Sequence, residues 1–257
     1  MRVILFLAVF SLLSSQSSPQ QTAPPVQRDP QALALLQNSV RAMGANVPAD
    51  SVATGNVVVV AGSLTSSGTV RILTRGIDQT SEQFTLPQST QTVIYSRGTA
   101  NTTDGANTQS LSLERTASCH SPSFPLPFLA AALANPDEAL QYVGQETLGS
   151  ARVQHLRIWN TFNSMSSLQF LLDFTVTDIW LDSSSALPVK LFYQQRVAQG
   201  AVPRIPVEVA YGDYRNLGGV LYPFQLAVSL NGTAWATITI QSVAFNNGLT
   251  DADFRII

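Results

Sequence analysis

The sequence predicts a mainly β, α+β domain: a curled antiparallel sheet of about ten to twelve strands, plugged by an N-terminal helix and a short central helix. Three observations carry this. Beyond residue 50 the chain is a run of segments rich in Val, Ile, Thr, Tyr and Phe, cut by Gly, Pro and Asn-Gly turns. Helix signals occur in two places, after Asp29 and around Phe128. Several strands carry large apolar residues on one face, and two short helices are too little to cover that much flat sheet, so the sheet must curl to bury it.

In chain order, residues 1–18 read as an export signal. Arg2 is the positive start, Val3 to Leu13 is apolar apart from Ser11, and Ser15 and Ser17 are small residues at cleavage-site spacing. About 11 apolar residues cannot cross a hydrocarbon core that takes about 20 in a helix. Residues 19–28 fall in a Ser-, Pro- and Gln-rich tether without apolar period. Residues 29–257 then form a single domain.

Asp29 is an N-cap, Pro30 takes the first helical position and Gly44 follows the last turn. Leu33, Leu36, Val40 and Met43 make one apolar stripe, which must pack on something. Strands are expected at 52–61, 68–75, 81–86 and 90–97, a turn at 101–107, and a short strand at 109–113. Pro122, Pro125, Pro127 and Pro136 then frame a short helix, Phe128 to Ala134, started by Pro127 and ended by Asn135-Pro136. Strands resume at 140–147, 151–160, 170–181, 188–195, 202–214, 220–230 and 234–245. Short turns such as Gly149-Ser150 and Asn231-Gly232 make neighbours antiparallel.

The strand 220–230 alternates cleanly, with Tyr222, Phe224, Leu226, Val228 and Leu230 on one face. Its successor does not: Trp235, Val243 and Phe245 share one parity, and Ala236, Ile238 and Ile240 the other. The space between curled sheet and helical plug is either packed core or a ligand cavity. The residues placed to line it are Phe224, Leu226 and Val228 from the sheet, Phe128, Leu129 and Leu133 from the central helix, and Leu36 and Val40 from the N-terminal helix.

Composition excludes several classes. Charged residues are 12% of the 257, against roughly 25% in an ordinary domain, and 14 Lys+Arg face 16 Asp+Glu. Nucleic-acid binding needs clustered cations that are absent here. Cys119 is the lone cysteine, so no internal disulfide forms, and none sits near the cleavage site to carry a lipid. No Gly-x-Ser-x-Gly elbow occurs. Adjacent Cys119 and His120 point apart in extended backbone, and His120 with His155 falls short of a zinc site. Asp178 and Asp182 lie about 13 Å apart along a strand, too far to share a substrate atom; Asp251 and Asp253 suit turns or caps. A non-enzymatic protein without metal or cofactor is the expectation.

Three ordered motifs carry a resemblance. Asp178-Ile-Trp-Leu-Asp182 with Leu187-Pro-Val-Lys190, then Gly219-Val-Leu-Tyr-Pro-Phe224, then Ser242-Val-Ala-Phe-Asn-Asn-Gly-Leu249 with Asp251-Ala-Asp-Phe254 resemble the closing strands of the LolA/LolB-like periplasmic lipoprotein-carrier superfamily. The order of export signal, helix, strands, helical interruption and strands is similar too. The resemblance implies an incomplete β-barrel whose apolar cavity, closed by helices, receives acyl chains. The implied protein is exported, periplasmic, soluble and monomeric, and binds an acyl chain or lipidated protein. The other reading is a cell-envelope module, its barrel packed shut, that binds a protein partner through its surface or an uncharged sheet edge.

Overall fold

A computed structural model describes residues 26–105, 107–118, 122–196 and 204–255. The expected export signal, most of the expected linker, Cys119 and His120 lie outside the described residues. Helix α1 spans Pro30–Met43, opened by Asp29, whose carboxylate accepts from the Gln31 and Ala32 amides at 2.7 and 3.1 Å. Gly44 ends it at φ +126°, and a Cβ there would sit 2.3 Å from the Gly219 carbonyl oxygen, so only glycine fits.

One antiparallel sheet of 13 strands follows: β1 Asp50–Ala61, β2 Leu64–Arg75, β3 Gln79–Leu86, β4 Ser89–Ser96, β5 Thr99–Thr103 and β6 Thr108–Ser110, then β7 Glu138–Leu148, β8 Ala151–Asn160, β9 Thr177–Asp182, β10 Pro188–Arg196, β11 Arg204–Leu217, β12 Val220–Leu230 and β13 Thr233–Phe245. Its spatial order is β6-β5-β4-β3-β2-β1-β13-β12-β11-β10-β9-β8-β7. The last strand therefore pairs with the first, the sheet curls, and β6 and β7 remain as edges, so the barrel is incomplete as expected. The β6 edge is three residues long. The β7 edge is partly occupied, because Leu140 exchanges backbone hydrogen bonds with Gln27 and Asp29, both at 2.9 Å.

In chain order α2 Leu113–Ala117 and α3 Pro125–Ala134 lie between β6 and β7, and α4 Leu172–Thr175 between β8 and β9. Helix α3 begins two residues before the expected Pro127. Prolines are tolerated throughout the first turn, whose amides have no intrahelical acceptor anyway. Helices α1 and α3 pack together, and α1 also meets β7 and β12. Leu36 and Met43 of α1 and Leu126 and Leu129 of α3 are fully buried in the main core with Tyr222 and Phe124.

Three expectations change. The strand expected at 170–181 starts only at Thr177. Before it lie a 3₁₀ turn, Ser166–Leu171, and α4. Here Phe162, Leu171 and Phe174 bury one another against Leu168 and Ala117 instead of joining the sheet, and the Thr175 hydroxyl accepts from the Asn160 amide at 2.9 Å. The strand expected at 109–113 ends at Ser110, and Leu113 opens α2, where the Ser112 hydroxyl accepts from the Arg115 amide. The expected turn at 101–107 loses its first three residues to the sheet, because Thr99–Thr103 pairs with β4 as β5.

The closing motif is the lock at the end of the sheet. Asp50 at the head of β1 accepts from the amides of Asn247, Gly248 and Leu249 at 2.6, 2.9 and 3.0 Å. Burial pushes its carboxyl up, but these amide bonds outweigh burial and hold it below the usual carboxylate range. Asp253 caps its own turn by accepting from Thr250, while Asp251 bridges Arg75 at 2.7 Å and Arg97 at 2.9 Å. Phe254 is thereby seated on Leu73 and Ile94 on the outer face.

Candidate ligand cavity

The strand alternation that aims Leu226 and Val228 inward also leaves space in front of them. A cavity of about 260 Å³ lies on the inner face. Leu226, Val228 and Leu230 of β12, with Val207 and Val209 of β11, line one side; Trp235 and Ile238 of β13 continue it. Phe84 of β3 and Val93 and Tyr95 of β4 stand opposite, and Phe84 meets Trp235 with ring centres 5.8 Å apart. Tyr193 and Gln195 of β10 complete the wall, and Arg115, Pro122 and Ser123 cover it. The cover is held down by Tyr211, whose hydroxyl donates to the Pro122 carbonyl at 2.6 Å.

One carboxyl group enters this lining. On β3, Thr80, Glu82 and Phe84 share the inner parity, so Glu82 faces the cavity beside Phe84. The Ser123 hydroxyl donates to its Oε1. Burial pushes the Glu82 carboxyl above the usual range, and the Ser123 bond offsets part of that. Gln91, Thr102 and Gln195 are the uncharged polar groups of the same lining.

A second cavity of about 230 Å³ is lined by Ile77, Leu113, Phe162, Leu168 and Leu171 among others, and by Tyr95. Tyr95 lines both, so its ring stands between them.

Of the residues expected at the site, Leu226 and Val228 line the larger cavity. Phe128 borders a crevice of about 10 Å³ beneath α3, with Leu191 and Tyr193. Leu36, Val40, Leu129 and Phe224 are buried in the main core, and Leu133 packs against it from a partly buried position. The open space thus lies away from α3, under Arg115, Pro122 and Ser123. Glu82, Ser123, Tyr95 and Tyr193 were not singled out from the sequence. Glu82 had a signal: an acid at the same strand parity as Phe84, in a chain with few charges. Ser123 and Tyr193 had none, since non-local packing brings them in.

His155 lies on the outer face. Its ring stacks on Trp180 at 4.2 Å, with Glu146 Oε1 at 2.6 Å from Nδ1 and Asp178 Oδ1 at 3.0 Å from Nε2. Arg157 donates to both oxygens of Asp178, at 2.9 and 3.0 Å. Asp182 instead closes the turn after β9, where hydroxyl and amide bonds from Ser184 and Ser185 bring its carboxyl down to about 2.

A single curled antiparallel sheet, left open at its edges, with helices packed into its inner face beside an apolar cavity, defines the class of fold. No family model matches the sequence, and no curated protein matches it. Solved structures do match. An outer membrane lipoprotein-sorting protein domain from Vibrio parahaemolyticus superposes with TM-score 0.57 at 15% identity, covering 87% of this chain and 96% of that one. A LolA superfamily protein from Nitrosomonas europaea gives 0.55 at 15% identity, over 88% and 97%. A DUF1329 family protein from Desulfovibrio piger gives 0.55 at 11%, over 87% and 97%. The chain has a LolA-like fold. Among the described residues no helix is long and apolar enough to cross a membrane.

Proposed function

We propose that this chain is an exported, periplasmic, non-enzymatic carrier that binds an acyl chain, of a lipid or a lipidated protein, in the cavity beneath Arg115, Pro122 and Ser123. The observation that carries the reading is the largely apolar space of about 260 Å³ on the inner face of a LolA-like sheet. It exceeds the roughly 150 Å³ that takes up benzene and sits just below the usual range of small-molecule pockets. Scaled from benzene, it holds roughly ten carbon atoms, so it fits one chain segment and not several. At about 0.8 kcal/mol per buried methylene the gross gain is about 8 kcal/mol, equivalent to about 1 μM, and the association cost of at least about 4 kcal/mol leaves the net affinity of the segment in this cavity nearer millimolar. Lipidated cargo is consistent with the lipoprotein-sorting domain from Vibrio parahaemolyticus that shares this fold.

The edge-binding alternative is less well supported. One edge is a three-residue strand and the other is partly covered by Gln27–Asp29. The test is displacement of a fluorescent fatty acyl probe, together with mass spectrometry of lipids extracted from protein purified from its native host. Val228→Trp puts an indole into the cavity and should weaken the probe at least about tenfold while the melting temperature holds or rises, because a void is being filled. Unchanged probe affinity in this variant, or no chain binding by the unaltered protein, rejects the reading.

A further inference from the structure

Resting on the cavity reading above, we propose that the ligand is a neutral single chain whose polar end accepts a hydrogen bond, such as an ester or amide carbonyl, and that Glu82 is the group that recognises it. The geometry selects this class. Glu82 is an acid on the inner parity of β3, set among Phe84, Val93 and Leu226 in a space with room for one chain. Glu82 is part-buried at the cavity wall; a chain that fills the space strips water from its carboxyl, and burial pushes the group toward its neutral form while the Ser123 bond opposes that. In that form one oxygen accepts from Ser123 and the acid's own proton is left to donate. A chain with a carbonyl near its end satisfies that donor; a plain hydrocarbon leaves it unpaired. Gln91, Thr102 and Gln195 add uncharged amide and hydroxyl groups to the same lining, and Arg115 is its one cation. A free fatty acid brings a second carboxyl beside Glu82, and an alkylamine demands that Glu82 ionise.

The experiment compares methyl decanoate, decanoate, decylamine and decane as competitors of one fluorescent acyl probe at pH 7. The proteins are the unaltered chain, Glu82→Gln and Glu82→Leu, with thermal melts as the folding control. Methyl decanoate should compete best, about tenfold better than decane or decanoate. Glu82→Gln, whose carboxamide still donates, should keep the ester preference within about threefold, and Glu82→Leu should abolish it. Equal or better competition by decanoate, which would place the head at Arg115, overturns the proposal. So does a preference for decylamine, or an ester preference that survives in Glu82→Leu. The comparison on the unaltered chain decides the matter even where a variant melts low. If decane competes as well as methyl decanoate, this inference fails and the carrier reading stands; if none of the four competes, both fail.

Discussion

The Arg28 guanidinium reaches the C-terminal carbonyls of α3. Its Nη2 donates to Ala132 and Leu133 at 2.9 and 3.1 Å, and its Nη1 to Asn135 at 3.2 Å. Helix α3 has no basic residue in its last turn and no side-chain cap at its start. It is also continuous with Pro122 and Ser123, which cover the cavity. Arg28→Ala therefore removes three charge-assisted bonds at once. Water reaches this part-buried site and replaces some of them, so about 1 kcal/mol each, or about 3 kcal/mol in all, is the expected loss. That corresponds to a roughly hundredfold rise in the opening of α3. Arg28→Lys keeps the charge but loses the planar fork, and should recover about a third of the effect. Hydrogen exchange measured by mass spectrometry over residues 126–134 reads the opening directly, with the central strands β11 and β12 as internal reference. Acyl probe should also dissociate faster from the Ala variant, since the cover is anchored to the loosened helix. Exchange over α3 that changes less than about threefold in Arg28→Ala would refute the latch.

Three further outcomes follow from named contacts. Tyr95→Ala removes the ring between the two cavities; it should cost about 3 kcal/mol and shift the preferred chain in a methyl-ester series to longer lengths, and an unchanged length optimum contradicts the partition. The Asp50 carboxyl is held low, so its contribution is complete above the ordinary carboxylate pKa near 3.8 and is lost as pH falls through its lower native value. Asp50→Asn should cost about 2 kcal/mol at pH 7, and the gap in urea unfolding should shrink below about pH 4; a gap independent of pH contradicts the assignment. Asp178→Ala strands His155 and Arg157 around a site whose carboxylate side chain is 7% exposed, and should cost about 3 to 5 kcal/mol. Arg157→Ala leaves His155 on Asp178 and removes a side chain 44% exposed, and should cost about 1 kcal/mol. Equal losses in urea unfolding would show that Asp178 is not the centre of that network.

The sheet was legible because most of it obeys period two, and β13 shows where period two fails. Trp235 and the set Ala236, Ile238 and Ile240 have opposite parity, yet all pack on the main core, as do Val243 and Phe245. Two bulges reconcile them. Between Val228 and Ser229 of β12 the register on β13 jumps from Ala236 to Ala234, leaving Trp235 extra; opposite Thr54 and Gly55 it jumps from Ser242 to Ile240, leaving Gln241 extra. Each extra residue flips the face that follows. Counting apolar residues along one strand cannot detect this, because the partner sets the bulge: a Cβ at Gly55 would stand 2.2 Å from the Thr239 carbonyl oxygen. The segment ahead of Thr177 failed for a different reason. Phe170, Leu171, Leu172 and Phe174 are apolar enough for a strand, and so short a run is equally compatible with the helical turns that form.

The cavity shows the same limit one level up. Parity identified Leu226 and Val228 as inward-facing, and they line the space. Parity treated Phe224 identically, and it is buried under Tyr222 and Arg215 instead. An inward side chain meets cavity or core according to what arrives from across the barrel, and that is set by where the helices land. Helices α1 and α3 pack together at one end and fill it with Leu36, Met43, Leu126 and Leu129. The strands β3 and β4 face β11 and β12 at the other end, where, among the described residues, the Arg115 and Pro122–Ser123 segments intervene. The low charge of the chain matters there. In a cavity wall otherwise built largely from Val, Leu, Phe, Thr and Gln, the inward acid at Glu82 and the cation at Arg115 are the two charged residues, and the recognition proposed for a chain end falls to the acid.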